Sequence, residues 1–156
     1  MMVQRRFRIS WQCCAMTTSE NSKPTALITG GSRGLGFEVA RGLARQGFDL
    51  ILVAKDSGRL SAAKDKLRSE FGEQIKVEIY PVDLENQGAT RKFGTEIASS
   101  VTPNVFVLAH GVMSEKISKT LKTTDEEWNR VISINLNSVF TLVNAIAPNM
   151  VEKRDG

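Results

Sequence analysis

Residues 29–36, TGGSRGLG, place four glycines directly after the apolar run Ala26, Leu27, Ile28. No other stretch constrains the fold as much. A short apolar run reads as a strand, and glycine supplies backbone where a chain must turn tightly or approach a ligand closely. Leu35, Val39 and Leu43 then recur at helical spacing up to Gly47, a natural helix stop. Strand, glycine loop, helix is the arrangement in which free helix N–H groups and a partial positive charge receive a phosphate. The spacing Gly30-x-x-x-Gly34-x-Gly36 differs from the G-x-G-x-x-G fingerprint. It also differs from a P-loop, because Phe37 stands where that loop needs its lysine.

The same alternation runs on through the chain. Residues 50–54 form a second, continuous apolar run, as expected when both faces of a parallel sheet are covered. A helix follows over residues 57–71, closed by Gly72, then a strand at 76–81, a helix at 85–101 and a strand at 104–109. Last comes a long helix opened by a capping box from Thr124 to Glu127 and striped by Trp128, Val131, Ile132, Val139, Val143 and Ile146. Glu126 and Glu127 in its first turn are accounted for by capping and the helix dipole, and receive no catalytic role. The pattern predicts an α/β fold, a Rossmann-type doubly wound parallel sheet that stops after the fourth strand and this helix. In the usual 3-2-1-4 order strand four is an edge. Its VFVLA is apolar on both faces, which asks for a fifth strand and predicts poor solubility or pairing with another chain.

Charge argues against nucleic acid. The formal net charge is +4, but Arg5, Arg6 and Arg8 supply three of the positive charges, leaving 18 basic against 17 acidic side chains from residue 17 onward. That balance is no footprint for a phosphate backbone. Both cysteines, Cys13 and Cys14, are adjacent and near the N-terminus, so they build neither a disulfide framework nor a metal site, and a reducing compartment is expected. No uninterrupted apolar run reaches the roughly 20 residues that span a bilayer. Residues 1–23 are set aside as a leader or tail, with residues 24–156 as the folded part. The basic, acid-free start fits a mitochondrial transit peptide, while a start at Met16 would leave an ordinary polar N-terminus and a cytoplasmic protein.

Thr29, Gly30, Gly34 and Gly36 fit the pattern T-G-x-x-x-G-x-G, and on this loop the sequence resembles the short-chain dehydrogenases/reductases from residue 23 to 156. The resemblance assigns Gly30, Ser32, Arg33, Gly34, Leu35 and Gly36 to the cofactor's phosphates. It assigns Asp83 and Leu84 to the adenine, and it makes Asn135, in INL, the asparagine of the catalytic tetrad, which helps place a water and the active lysine. Where the family usually has N-N-A-G, this chain has Leu108, Ala109, His110, Gly111. Ala109 and Gly111 still border the cofactor, while the usual stabilising asparagine is lost. His110 is expected to be a side chain packed at a strand end, since the family pattern places no base there.

An NAD enzyme typically carries an acid at the end of strand two to bind the ribose 2′-hydroxyl. Here Ala54 and Lys55 stand there. A lysine attracts the 2′-phosphate, and Arg33 adds planar donors suited to it, so NADPH is the expected cofactor. Asp56 keeps NADH as the alternative. D-E-E-W-N, N-L-x-S-V-F and M-x-x-K-R-x-G are similar to the 3-oxoacyl-[acyl-carrier-protein] reductases. This likeness implies reduction of a 3-oxoacyl thioester, small-molecule or carrier-bound, by a homo-oligomer. The family's serine and Y-x-x-x-K pair are expected beyond residue 156, because the one tyrosine, Tyr80, has Leu84 four residues on. The alternative is a fragment that binds nucleotide or associates without catalysis.

Overall fold

The computed structural model describes residues 23–114 and 120–154. The leader assigned to residues 1–23, apart from Lys23, lies outside them, and so do both cysteines. Four strands, β1 (Thr25–Thr29), β2 (Asp49–Ala54), β3 (Val77–Pro81) and β4 (Val105–Leu108), alternate with helices α1 (Gly34–Arg45), α2 (Ser57–Phe71) and α3 (Gln87–Ser100). After β4 come α4 (Asp125–Ile132), a π-helical turn (Ser133–Asn137) and α5 (Ser138–Lys153). All strand pairs are parallel and the order is β3-β2-β1-β4, the order expected of this half of a doubly wound sheet.

Alternation of side chains across the sheet explains why the strands are apolar throughout. Ala26, Ile28, Leu50, Leu52 and Val77 face α1 and α2, where Ala40, Ala44, Leu60 and Leu67 complete one core layer. Leu27, Ile51 and Val53 face the other way, onto Phe93 and Ile97 of α3 and Leu142 and Ile146 of α5. Each fully buried Leu or Ile contributes about 2 kcal/mol relative to exposure. Among the described residues β4 pairs only with β1, and Val105–Leu108 are all half-buried, so β4 is the edge expected for it.

Two helical stripes differ from their expected faces. α1 turns Gly36, Ala40 and Ala44 to the sheet, while Leu35 is 85% and Val39 40% exposed. Small residues win that face because the helix start lies hard against the strand ends. In the last helix Trp128 is 60% exposed, and the buried side is Ser138, Thr141, Leu142 and Ile146. The π turn is the cause. One extra residue in a turn rotates everything beyond it by about 100°, so a stripe drawn at a constant 3.6-residue period cannot stay on one face.

Thr124 does cap α4, accepting the Glu127 N–H at 3.3 Å, while the Glu127 carboxylate makes a two-pronged pair with Arg130 at 2.9 and 3.0 Å. By length and a mean hydropathy of 1.4, Asp125–Lys153 could cross a membrane. In this fold Leu142 and Ile146 join the core layer with α3 and Asn149 donates to the Ala98 carbonyl at 2.7 Å, while Leu136, Phe140 and Val151 are exposed.

Candidate functional site

The carboxyl ends of all four strands open into one cleft of about 390 Å³. Ligands in open α/β sheets bind in this position, at the point where the strand order reverses, here between β1 and β4. The glycine loop forms one wall. Gly30 has φ +69°, and a Cβ there would lie 2.7 Å from the Ala109 carbonyl oxygen. A Cβ on Gly36 would collide with the Gly30 carbonyl oxygen. These two positions therefore accept only glycine, and the start of α1 reaches the edge of the sheet. α1 begins without a side-chain cap or an acid in its first turn, which leaves its N-terminal dipole unneutralised on the cleft side.

Most of the residues assigned from the sequence meet here. Gly30, Ser32, Arg33 and Gly34 line the cleft at the loop, Lys55 at the end of β2, Asp83 and Leu84 after β3, and Ala109 and Gly111 after β4. Leu35 and Gly36 are not among the lining residues. Leu35 points into solvent from the first turn of α1, and Gly36 lies beneath the loop, buried against Gly30.

Opposite charges cross the cleft. Lys55 Nζ stands 2.6 Å from Asp83 Oδ2, and this carboxylate raises the Lys55 amine above its ordinary value. Asp83 also accepts the Glu85 N–H at 3.1 Å, which fixes the turn after β3. Asp56 is committed elsewhere, since Oδ1 caps α2 by accepting the Arg59 N–H at 2.9 Å and Oδ2 is 3.4 Å from Arg59 Nε. Arg59 itself lines the cleft, a cation missed in the sequence although it lies one helical turn beyond Lys55.

Asn135 sits on the π turn and is exposed. Its Oδ1 accepts the Val112 N–H at 2.9 Å and its Nδ2 donates to the Val112 carbonyl at 2.8 Å, so it clasps the backbone of the loop after β4. π turns recur at functional sites because they aim one residue out of helical register. A second brace comes from α3, where Gln87 Nε2 donates to the Ser133 carbonyl at 3.1 Å and to Ser133 Oγ at 2.9 Å. His110 is not merely packed. Its two nitrogens meet Thr29 Oγ1 at 2.6 Å and Ser138 Oγ at 2.7 Å. Burial pushes its pKa below the ordinary 6.5, partly offset by a hydrogen bond to the Ile134 backbone. No spacing in the sequence announces these contacts, which join residues 23 to 81 positions apart only in the folded chain. Among the described residues no cluster of His, Cys, Asp or Glu is placed to hold a metal ion.

The family model for short chain dehydrogenases matches residues 24–156, and the chain belongs to that family. It is 29% identical over 132 residues to the 3-oxoacyl-[acyl-carrier-protein] reductase FabG of Chlamydia trachomatis serovar D, covering 85% of this chain and 52% of that protein. It is 30% identical over 128 residues to the very-long-chain 3-oxoacyl-CoA reductase of Candida glabrata, covering 79% of this chain and 35% of that one. A short-chain dehydrogenase from Sphingobium yanoikuyae, solved in complex with NADPH, matches with a TM-score of 0.78 at 32% identity, over 85% of this chain and 50% of that one. A metagenomic short-chain oxidoreductase in complex with NADP matches with a TM-score of 0.77 at 29% identity, over 85% and 59%. The chain thus spans about half the length, or less, of the curated relatives it matches.

Proposed function

We propose that this chain provides the dinucleotide-binding part of an NADPH-dependent carbonyl reductase acting on a 3-oxoacyl thioester. The observation that carries the reading is the charge pattern of the cleft. Arg33, Lys55 and Arg59 line it, and the one acid beside the end of β2, Asp56, is held by the first turn of α2. Asp83, which pairs with Lys55, and Glu85 also line the cleft after β3; at the end of β2, where an acid would bind a 2′-hydroxyl, Ala54 and Lys55 stand instead, and a cation there favours a 2′-phosphate. The unneutralised start of α1 seats the pyrophosphate, and Asp83 with Leu84 holds the adenine.

When bound, the cofactor supplies a hydride to the carbonyl carbon. The chain's part is to fix geometry. The loop after β4 walls the cleft, and Asn135 holds that loop's backbone at Val112. The substrate class is supported by the two 3-oxoacyl reductases among the relatives. A proton donor is required for such a reduction, and Tyr80 does not serve. It lies outside the cleft, with its hydroxyl bonded to Glu78 at 3.1 Å.

Fluorescence titration with NADPH and NADH tests the reading. NADPH is expected to bind more tightly, and Lys55→Ala and Arg33→Ala are each expected to lower that preference by about tenfold, the worth of one charge-assisted hydrogen bond. An unchanged preference in both variants overturns the cofactor assignment.

A further inference from the structure

The π turn is held against the loop after β4 by a residue that the cofactor reading leaves unused. His110 Nε2 lies 3.2 Å from the Ile134 carbonyl and 2.7 Å from Ser138 Oγ, while Nδ1 lies 2.6 Å from Thr29 Oγ1. The Ser138 hydroxyl in turn donates to the Ile134 carbonyl at 2.6 Å. These contacts decide the tautomer. A carbonyl only accepts, and the Ser138 proton is already committed to it, so Nε2 carries a hydrogen and donates to both oxygens. In the neutral ring Nδ1 is then the acceptor of the Thr29 hydroxyl proton at 2.6 Å, a closer acceptor than the Val107 carbonyl, 3.3 Å from the same hydroxyl. Burial favours this neutral ring.

The helix offers the partner by its irregularity. The Ser138 N–H binds the Ser133 carbonyl, five residues back, where an α-helix would have used Ile134. The Ile134 carbonyl is thereby turned toward the imidazole. The next residue, Asn135, grips Val112 at both its N–H and its carbonyl, and Val112 is two residues from His110. A side chain from the loop holds the backbone of the π turn, and a side chain from the π turn holds the backbone of the loop. Thr29 closes the arrangement from below, because it is fully buried at the end of β1 and precedes the glycine loop. Thus one imidazole joins the base of the phosphate seat, the wall after β4 and the turn that carries Asn135.

We infer that His110 is a positioning residue that locks the π turn against the loop after β4 and so sets the place of Asn135 and of the cleft wall at Ala109 to Val112. Its consequence for cofactor affinity rests on the dinucleotide reading above; the clasp itself does not. A ring that merely filled space could point either nitrogen at apolar neighbours. Here both nitrogens are engaged, with opposite hydrogen-bonding roles, by groups on two different elements.

Three measurements on the full chain decide it. The chain has a single histidine, so a long-range proton–nitrogen-15 spectrum reports His110 alone. The neutral Nε2–H tautomer is expected to persist as the pH falls below the ordinary histidine value of 6.5; an Nδ1–H tautomer, or free titration near that value, overturns the assignment. In His110→Ala the Val112 amide is expected to exchange with solvent at least about tenfold faster and NADPH to bind about tenfold more weakly. His110→Gln, which restores a donor, is expected to recover most of both.

Unchanged Val112 exchange in His110→Ala, or no recovery in His110→Gln, overturns the proposal. If His110→Ala does not fold, Thr29→Val replaces it, removing the hydroxyl that meets Nδ1 at nearly constant volume. It is expected to shift the imidazole nitrogens and speed Val112 exchange together, and a shift at the ring alone refutes the clasp. If the unaltered chain binds no NADPH, the cofactor reading fails, while the tautomer and the Val112 exchange still decide the role of His110.

Discussion

The two ends of the cleft are built by different means. At the glycine loop the geometry is local: Gly30 and Gly36 interlock within seven residues, and backbone does the work. At the π turn the geometry is assembled from afar, by His110 on Ile134, Asn135 on Val112 and Gln87 on Ser133, bonds that span 23 to 46 positions. A local backbone device fails when a side chain is added. A long-range clasp fails when a side chain is removed. The two ends are therefore separable by mutation.

The largest effect is expected at the local end. Gly36→Ala puts a methyl group into the Gly30 carbonyl oxygen, which should cost about 2–3 kcal/mol of stability and abolish measurable NADPH binding. Denaturant melts and titration check both. If the variant binds like the unaltered chain, the interlocked loop is not the phosphate seat.

Asn135→Ala comes next, removing both bonds to Val112 from an exposed site. A loss of about 1 kcal/mol is expected, with faster amide exchange confined to the loop after β4 and none gained at residues 29–36. Exchange that spreads to the glycine loop would show that the two ends are one cooperative unit.

A smaller effect is expected from pH. His110 has a folded-state pKa below 6.5 because it is buried, so the unfolded chain takes up a proton there that the folded chain does not. Stability should thus be complete above about pH 6.5 and fall as the pH drops toward the folded-state pKa. Melting temperatures between about pH 7.5 and about pH 5.5 test this, and the slope should be shallower in His110→Gln. An identical slope removes His110 as its source.

Smallest for stability is Lys55→Ala, which breaks a solvent-exposed pair with Asp83. The melting temperature should not move, although NADPH affinity should fall. A lowered melting temperature would recast Lys55 as a structural brace rather than a ligand-facing cation.

Much of the fold was legible because it rests on short-range pattern. The strand runs at Leu27 and Leu52, the cap of α4 at Thr124, and the 3-2-1-4 order all emerged as read. The faces of the helices were legible only in part. Leu35 and Val39 look like a buried stripe by period alone, yet the close approach of α1 to the strand ends gives that face to Gly36, Ala40 and Ala44. Trp128 was misplaced because a π turn carries no signature in composition, and it breaks the period on which the reading depends.

By itself the sequence determined that this chain makes a parallel α/β sheet with a glycine loop at its first strand end, and that it belongs among the short-chain dehydrogenases. The sheet and the loop follow from periodicity and from backbone conformations that favour glycine, both encoded within a few residues, while family membership rests on the match to the family model over residues 24–156. Only the tertiary structure decided that Asp56 is spent on a helix cap, that Lys55 meets Asp83 across the cleft, and that His110 joins β1 to the π turn. Hydrogen bonds and ion pairs between side chains distant in sequence depend on which strand ends the fold brings together, and no local pattern carries that information.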